Sequence, residues 1–374
     1  MKKIGILGAG MVGRAIAADL AKVFDITSHD NSEQSLQILG SIDDTIKLIP
    51  ADLEDSNSLQ DLIAPFDIIV CAVPGFMGFK TLQSVIKAKK NVVDISFFPE
   101  NALDLDALAK ENKVTAIVDC GVAPGMSNLI LGYHNARMKI ENFECMVGGL
   151  PKTRIKPFEY KAPFSPIDVI EEYTRPARFV ENARVITKDA LTDAELVDFD
   201  FAGTLESFNT DGLRSLLYTM KHIPNMKEKT LRYPGHIDLI NALIKAGFFD
   251  TEKINVSGNN ISPLSFSSAI LFKQWKLQPG EKEFTVMKIK ISGENKSIVY
   301  DLYDEYDKKT NTSSMARTTG YTCNAAVHLL ANGLFKDHGV FPPEFIGKDE
   351  TCFNFIIEYL QERNIIYKKT VVAK

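Results

Sequence analysis

The chain has a single tryptophan, no paired cysteines, no excess of basic residues and no long apolar run, and each shortage removes a class of function. The five cysteines (Cys71, Cys120, Cys145, Cys323 and Cys352) are odd in number and scattered, with no CxxC pair. Neither a disulfide framework nor a zinc site is expected, and reduced thiols point to a cytoplasmic protein. Six isolated histidines give no metal spacing. A net charge of −5 and a pI near 5.8 argue against a nucleic-acid partner, which would need a basic face. No apolar run approaches the ~20 residues of a membrane span, because Pro74, Gly75 and Gly78 interrupt the best candidate. Lys2, Lys3 and the apolar stretch after them mimic a signal peptide, but Gly8, Gly10 and Gly13 fall inside the would-be apolar core and Arg14 follows. A buried strand is the better reading. What remains, at 374 residues with 45% hydrophobic and 24% charged side chains, is a soluble globular protein of two domains.

The most informative stretch is the first thirty residues. Lys3 to Leu7 reads as a short apolar strand, Gly8, Gly10 and Gly13 follow in GxGxxG spacing, and an alanine-rich helix runs from Met11 to about Lys22. Gly8 makes the tight turn, Gly10 lets a pyrophosphate approach the backbone, and Gly13 lets the helix lie close on the strand. The free N–H groups at the helix start, around Met11 and Val12, face the anion. A second strand from Asp25 ends at Asp30, whose carboxylate would accept from a ribose 2′-hydroxyl and repel a 2′-phosphate. NAD is therefore the expected cofactor.

Strand and helix then alternate. Strands are expected at Ile46 to Pro50, Asp67 to Val73, Asn91 to Ile95 and Val114 to Cys120, and helices at Ser56 to Ala64, Thr81 to Lys89 and Leu103 to Asn112. Six strands linked by helices make a doubly wound parallel sheet, a Rossmann domain over residues 1–123, with ligands at the carboxyl ends of the strands. Asp52, Val73 and Pro74 lie at those ends. Near Gly121 the pattern changes to long alternating strands (Phe143 to Gly148, Phe284 to Ser292, Ser297 to Tyr306) with helices between them at Pro166 to Tyr173, Gly212 to Met220, Ile237 to Ala246 and Ser262 to Trp275. This is an α+β second domain over 124–318, built on a mostly antiparallel sheet with one wet face at Lys288 and Lys290. A helical segment, 319–374, is expected to pack back on the first domain.

Four polar clusters stand out in the second domain: Gly148-Gly149 at a strand end; Tyr160-Lys161 through Ser165 to Glu171, Tyr173, Arg175 and Arg178; Glu206 to Asp211 with Arg214; and Thr230 to His236. Each has a structural alternative. Gly148-Gly149 serves equally as a bulge, Asn209 or Asp211 as a helix cap, Arg175 as an i, i+4 partner of Glu171, Lys161 as a surface lysine, and Arg232 with Tyr233 as a buried structural pair.

These runs together resemble the saccharopine dehydrogenase-like family. The shared features are the GxGxxG sheet, Ala123-Pro124-Gly125, Gly148-Gly149-Leu150-Pro151, Phe164-Ser165 and Thr230-Leu231-Arg232-Tyr233-Pro234-Gly235. Phe208-Asn209-Thr210-Asp211-Gly212-Leu213 and Thr319-Gly320-Tyr321 look most like its L-lysine 6-dehydrogenase branch. Saccharopine reductases carry aspartate where this chain has Ala123, which favours a smaller substrate. The resemblance implies NAD-dependent oxidation of a primary amine, lysine's ε-amine first, and a homo-oligomer, dimer or tetramer. Such a reaction needs a donor fork for the α-carboxylate, for which Arg232 is favoured with Arg175 behind it. The α-ammonium would take Asp211 or Glu206, with Asn209 beside them, and Gly148 and Ser165 would line the pocket. Lys161, Tyr160 or His236 would act as base, unless water in a dry pocket suffices. Two other readings stay open: a saccharopine or carboxynorspermidine reductase acting on a secondary amine, and a non-catalytic NAD-binding sensor or scaffold.

Overall fold

The computed structural model describes residues 1–373, which build two large sheets with a cleft between them and a small two-stranded ribbon, Ile254–Val256 with Asn259–Ile261. The first sheet is parallel and has seven strands. Lys3–Leu7 lies inside it, flanked by Asp25–Asp30 and then Lys47–Pro50 on one side. On the other side come Ile68–Cys71, Asn91–Asp94, Thr115–Ile117 and Gly339–Phe341. Ile68–Cys71 is buried at every position, as a strand covered by helices on both faces must be. The strand order reverses beside Lys3–Leu7, which places a ligand crevice at the carboxyl ends of the strands there.

The seventh strand, Gly339–Phe341, comes from the far end of the chain and was not expected from the sequence; its three residues are too few to show a period. The helix Glu33–Ile42 was not read either. Ser32 caps it by accepting from the Ser35 amide at 3.2 Å. The helix after the fourth strand begins at Gly75, six residues ahead of the expected Thr81, and runs to Lys87. Gly75 and Gly78 act there as contact points, not breakers: a Cβ on Gly75 would fall 2.2 Å from the Phe97 carbonyl oxygen, and one on Gly78 would fall 2.6 Å from Ser96.

The second sheet has nine strands. Its central strand, Asn225–Arg232, pairs in parallel with Asn142–Pro151 and antiparallel with Gly203–Asn209. Beyond Asn142–Pro151 come Glu283–Ser292, Lys296–Glu305 and Tyr367–Ala373, all antiparallel. Gly148 and Gly149 sit in unbroken register with Val286 and Thr285, so they form no bulge. Their missing side chains make room for the Leu231 carbonyl and for Pro163. The helix expected from Gly212 shrinks to Leu216–Thr219, because Arg214 adopts a left-handed backbone at φ 46°.

The long helix Ser314–Ala331 packs on Met11–Leu20. Buried Asp19, on the latter, accepts from Tyr359 Oη at 2.7 Å, Asn324 Nδ2 at 3.0 Å and Arg363 Nε at 3.0 Å. The segment after residue 318 thus divides between the lobes: Gly339–Phe341 completes the first sheet and Tyr367–Ala373 edges the second. Among the described residues no helix is long and apolar enough to cross a membrane.

Candidate active site

The glycine turn has the geometry its spacing implies. Gly8 is at φ 108°, and a Cβ there would lie 2.3 Å from the Ala72 carbonyl oxygen. A Cβ on Gly13 would lie 2.1 Å from the Gly8 oxygen, so helix and turn meet only because both residues lack one. Around Gly10 the space is open, and the helix Met11–Leu20 starts with no side-chain cap, leaving its first N–H groups facing the cleft. Asp30 accepts from the Ala9 amide at 2.6 Å and the Ser32 amide at 2.7 Å, which fixes its carboxylate against the turn. An uncapped helix start, an open glycine and a strand-end carboxylate fit a dinucleotide. Met11, Val12, Asp52, Val73 and Pro74 line the same space.

This cradle opens into one cleft of about 520 Å³ that continues to the second lobe, reaching Gly148, Ser165 and Arg232. The far wall is the strand Asn225–Arg232. Because side chains alternate along a strand, Glu228, Thr230 and Arg232 share the face toward the cleft. Thr210 and Thr230 share a hydrogen bond of 3.0 Å, and Thr230 donates in turn to Glu172. Arg232 is buried, and four of its five donor hydrogens are engaged. Nε donates to Tyr173 Oη at 2.9 Å, Nη1 to the Leu231 carbonyl at 3.0 Å, and Nη2 to Tyr160 Oη at 3.3 Å and Glu172 Oε2 at 2.9 Å. Arg232 is therefore no open fork. It is the hub of a rigid wall with one N–H to spare.

Several residues expected at the reaction centre lie elsewhere. Tyr160 is buried under Arg232, its ring 4.4 Å from the guanidinium, and burial pushes its phenol well above the ordinary range. With Tyr160 turned inward, Lys161 points outward, 3.6 Å from Glu281 and away from the cleft lining. His236 is clamped between the Phe158 carbonyl and Tyr173 Oη, each at 2.9 Å. Burial and the nearby Arg232 lower its pKa to about 3, so it is a neutral support for Tyr173. Glu206 accepts from the Gly235 amide at 3.1 Å, and Asn209 donates to Thr192 and Asp193; neither lines the cleft. Asp211 does line it, but Arg178 holds both of its oxygens, through Nε at 2.9 Å and Nη2 at 2.8 Å. Arg175 lines the cleft as well. It meets Glu171 at 2.7 Å through Nη2 and keeps its other donors free among the described residues.

The structure adds three carboxyl groups to which the sequence reading gave no role. Glu172 is tied to Thr230 and Arg232 as above. Burial and the neighbouring Glu171 raise the Asp168 pKa to about 6, against the pull of the Gly75 amide, Ser165 and Arg175. Glu228 is buried, and burial with the carboxylates of Glu172 and Asp211 pushes it well above the carboxylic-acid range. The alternation of polar side chains through Glu228-Lys229-Thr230-Leu231-Arg232 was the available signal, since a central strand with a polar face must face a site or partner groups. The lobes are also pinned across the cleft: Arg214 Nε donates to Asp119 at 2.8 Å, and its Nη1 to the Phe98 carbonyl.

Family comparison agrees with this arrangement. The saccharopine dehydrogenase NADP binding domain profile matches residues 4–117, and the saccharopine dehydrogenase C-terminal domain profile matches 121–366. The chain belongs to the saccharopine dehydrogenase family. Apo saccharopine dehydrogenase (L-Glu forming) from Saccharomyces cerevisiae shares the fold at a TM-score of 0.80, with 20% identity and 100% of both chains covered. The mitochondrial alpha-aminoadipic semialdehyde synthase of Rattus norvegicus is 23% identical over 72% of this chain, but this chain spans only 31% of the rat protein's length. Carboxyaminopropylagmatine dehydrogenase of Synechocystis is 21% identical over 93% of this chain and 94% of its own. The first lobe is thus the family's nucleotide-binding domain.

Proposed function

We propose that the chain is an NAD-dependent amine dehydrogenase, with the ε-amine of L-lysine as first substrate and 2-aminoadipate 6-semialdehyde, or its cyclic Δ1-piperideine-6-carboxylate, as product. One observation carries the reading: the dinucleotide cradle and an acidic wall share a single cleft. In the second lobe Asp168, Glu172, Asp211 and Glu228 line it against Arg175 and Arg232, with Arg178 pairing Asp211 from behind, which leaves the described wall one carboxyl in excess. Lysine brings two ammonium groups and one carboxylate, a net cation. Saccharopine brings three carboxylates and two amino groups, a net anion, for which this wall has too few free donors. The preference for NAD rests on Asp30 and on the absence of any basic residue between it and Lys47.

When bound, the nicotinamide supplies the acceptor for a hydride from the amine-bearing carbon. The protein's own part is to hold the substrate against that acceptor and keep water out. Arg175 and the spare N–H of Arg232 take the α-carboxylate, and Asp168 takes the α-ammonium. The Thr210–Thr230–Glu172–Arg232 chain keeps the wall from relaxing around them. A second reading is oxidation of a polyamine-derived secondary amine, which the same acidic wall suits and which the end-to-end match to the Synechocystis enzyme supports. NADH formation against lysine, ornithine, diamines, carboxynorspermidine and saccharopine tests these. Turnover with lysine supports the first reading and turnover with carboxynorspermidine alone the second. NAD binding without turnover of any amine refutes both and leaves a sensor or scaffold.

A further inference from the structure

Two carboxyls on the cleft wall keep a buried oxygen without a hydrogen-bond partner among the described residues, Asp168 and Glu228; Asp168 is also held by the Gly75 amide and Ser165, which leaves Glu228 as the less satisfied of the two. Its Oε2 is buried and has no hydrogen-bond partner among the described residues, although it lines the cleft. The charged and titratable groups around it are all occupied with one another. On its own strand, Arg232 binds Glu172 and the two tyrosines. Glu172, on the helix Pro166–Thr174, also accepts from Thr230. Asp211 is held by Arg178 from the strand Ala177–Glu181. Cys145, on the neighbouring strand, is a buried neutral thiol whose ionisation Glu228 opposes. The chain also makes room for this carboxyl: a Cβ on Gly212 would fall 0.9 Å from Oε2. A buried carboxyl with no internal partner is costly, and a ligand group is the partner still missing.

We infer that Glu228 receives the reacting amine of the substrate and takes the proton its ammonium must shed before the carbon can be oxidised. The inference rests on the amine-dehydrogenase reading above. In the step Glu228 enters as the carboxylate, its own proton released to water in the cleft as the ammonium docks; an N–H bond of the ammonium then breaks, its electron pair stays on nitrogen, and the proton bonds to Oε2, with no change of oxidation state. Burial drives it: a dry site raises a carboxyl's pKa and lowers an ammonium's, so the neutral pair is favoured over the ionic one. The directions seen at this position agree, since burial and two neighbouring carboxylates make Glu228 a stronger base than an ordinary glutamate.

The test uses the full-length protein and E228Q, which keeps the shape and removes the proton acceptor. Wild type is first assayed with lysine and NAD; no amine turnover there overturns the functional reading itself. If wild type turns over, E228Q should lose about 100-fold or more in kcat/KM at pH 7, the usual size of a general-base effect. Its residual rate should climb about tenfold per pH unit toward the amine pKa near 10.4, as solution supplies free amine. NADH affinity and thermal midpoint should stay at wild-type values. A binding readout runs beside this. Lysine and norleucine, which lacks the amine, are titrated into the NADH-bound protein. Wild type should prefer lysine about tenfold, a hydrogen bond's worth, and E228Q should discriminate less than twofold. E228Q activity within threefold of wild type across the pH range, or unchanged discrimination, overturns the inference. So does D168N showing the pH-dependent rescue in place of E228Q. Should E228Q fail to fold, E228D reads the same partition, because retracting the acid by one methylene should lower kcat more than lysine affinity. An unaltered kcat in E228D also overturns it.

Discussion

Replacing Asp30 by asparagine isolates the cofactor argument. The carboxylate is fixed by the Ala9 and Ser32 amides and lines the cradle where a ribose is expected. Hydrogen bonds from a ribose to a charged acceptor contribute about 1.5–3 kcal/mol, and a neutral amide oxygen keeps about half of that. The loss for NADH is then about 1–2 kcal/mol. For NADPH the sign reverses. A carboxylate about 5 Å from a 2′-phosphate charge repels it by about 3 kcal/mol at an effective dielectric of about 20, and partial exposure and salt reduce this to about 1 kcal/mol. With the carboxylate gone, Arg14, close enough to feel the charge of Asp30, becomes the nearest counter-charge for the phosphate. Together the two effects shift the NADH/NADPH affinity ratio by about 2–3 kcal/mol, or about 30–150-fold. Any slackening of the turn from the weakened Ala9 and Ser32 contacts affects both cofactors and cancels in the ratio. Fluorescence titration of wild type and D30N with each cofactor at fixed ionic strength measures it. A ratio that moves less than threefold, or a wild type that prefers NADPH, refutes the reasoning.

Arg175→Ala should raise the KM for lysine about 10–100-fold, the size of a lost charge-assisted contact, and leave the KM for NAD within twofold; equal changes in both would exclude it as carboxylate clamp. Arg232→Gln should instead act first on stability, by about 1–3 kcal/mol, because it breaks the buried guanidinium's contacts and leaves half-buried Glu172 with Thr230 alone; a urea midpoint at the wild-type value would show the wall is not built on that pair. Glu283 is buried, and its pKa is raised to about 8 by burial. Between about pH 4.5 and 8 the folded state therefore holds a proton that the unfolded chain has released, so stability falls as pH rises through that window. Urea midpoints across it should show Glu283→Gln removing on the order of 2–4 kcal/mol of this decline; parallel curves for the two proteins would contradict it.

The first lobe was readable because its signals are local. Gly8, Gly10 and Gly13 declare a backbone shape within six residues, and near-continuous apolar strands such as Ile68–Cys71 declare burial on both faces. The start of the helix at Gly75, six residues ahead of Thr81, was missed for the converse reason: an α-helix tolerates glycine where another chain segment must come close, and no local pattern reveals Phe97 and Ser96 on the other side of Gly75 and Gly78. The substrate half depends on partners far apart in sequence. Arg232 was legible as important, but its engagement by Tyr160, Tyr173 and Glu172 follows only from the packing of three separate segments. Lys161 and His236 have the right chemistry in the wrong place, one turned out to Glu281 and the other locked into an aromatic cluster. Glu228 went unread because its meaning depends on which way the central strand faces.

The course of the chain after the long helix Ser314–Ala331 constrains how the cleft can breathe. The polypeptide passes from one sheet to the other three times: after Thr115–Ile117, back to donate Gly339–Phe341, and out again to Tyr367–Ala373. A molecule stitched in this way is tied together by three linkers and not by one. Any opening of the cleft has to bend all three crossings together, and the first lobe, excised at residue 123, would lack Gly339–Phe341 from its own sheet.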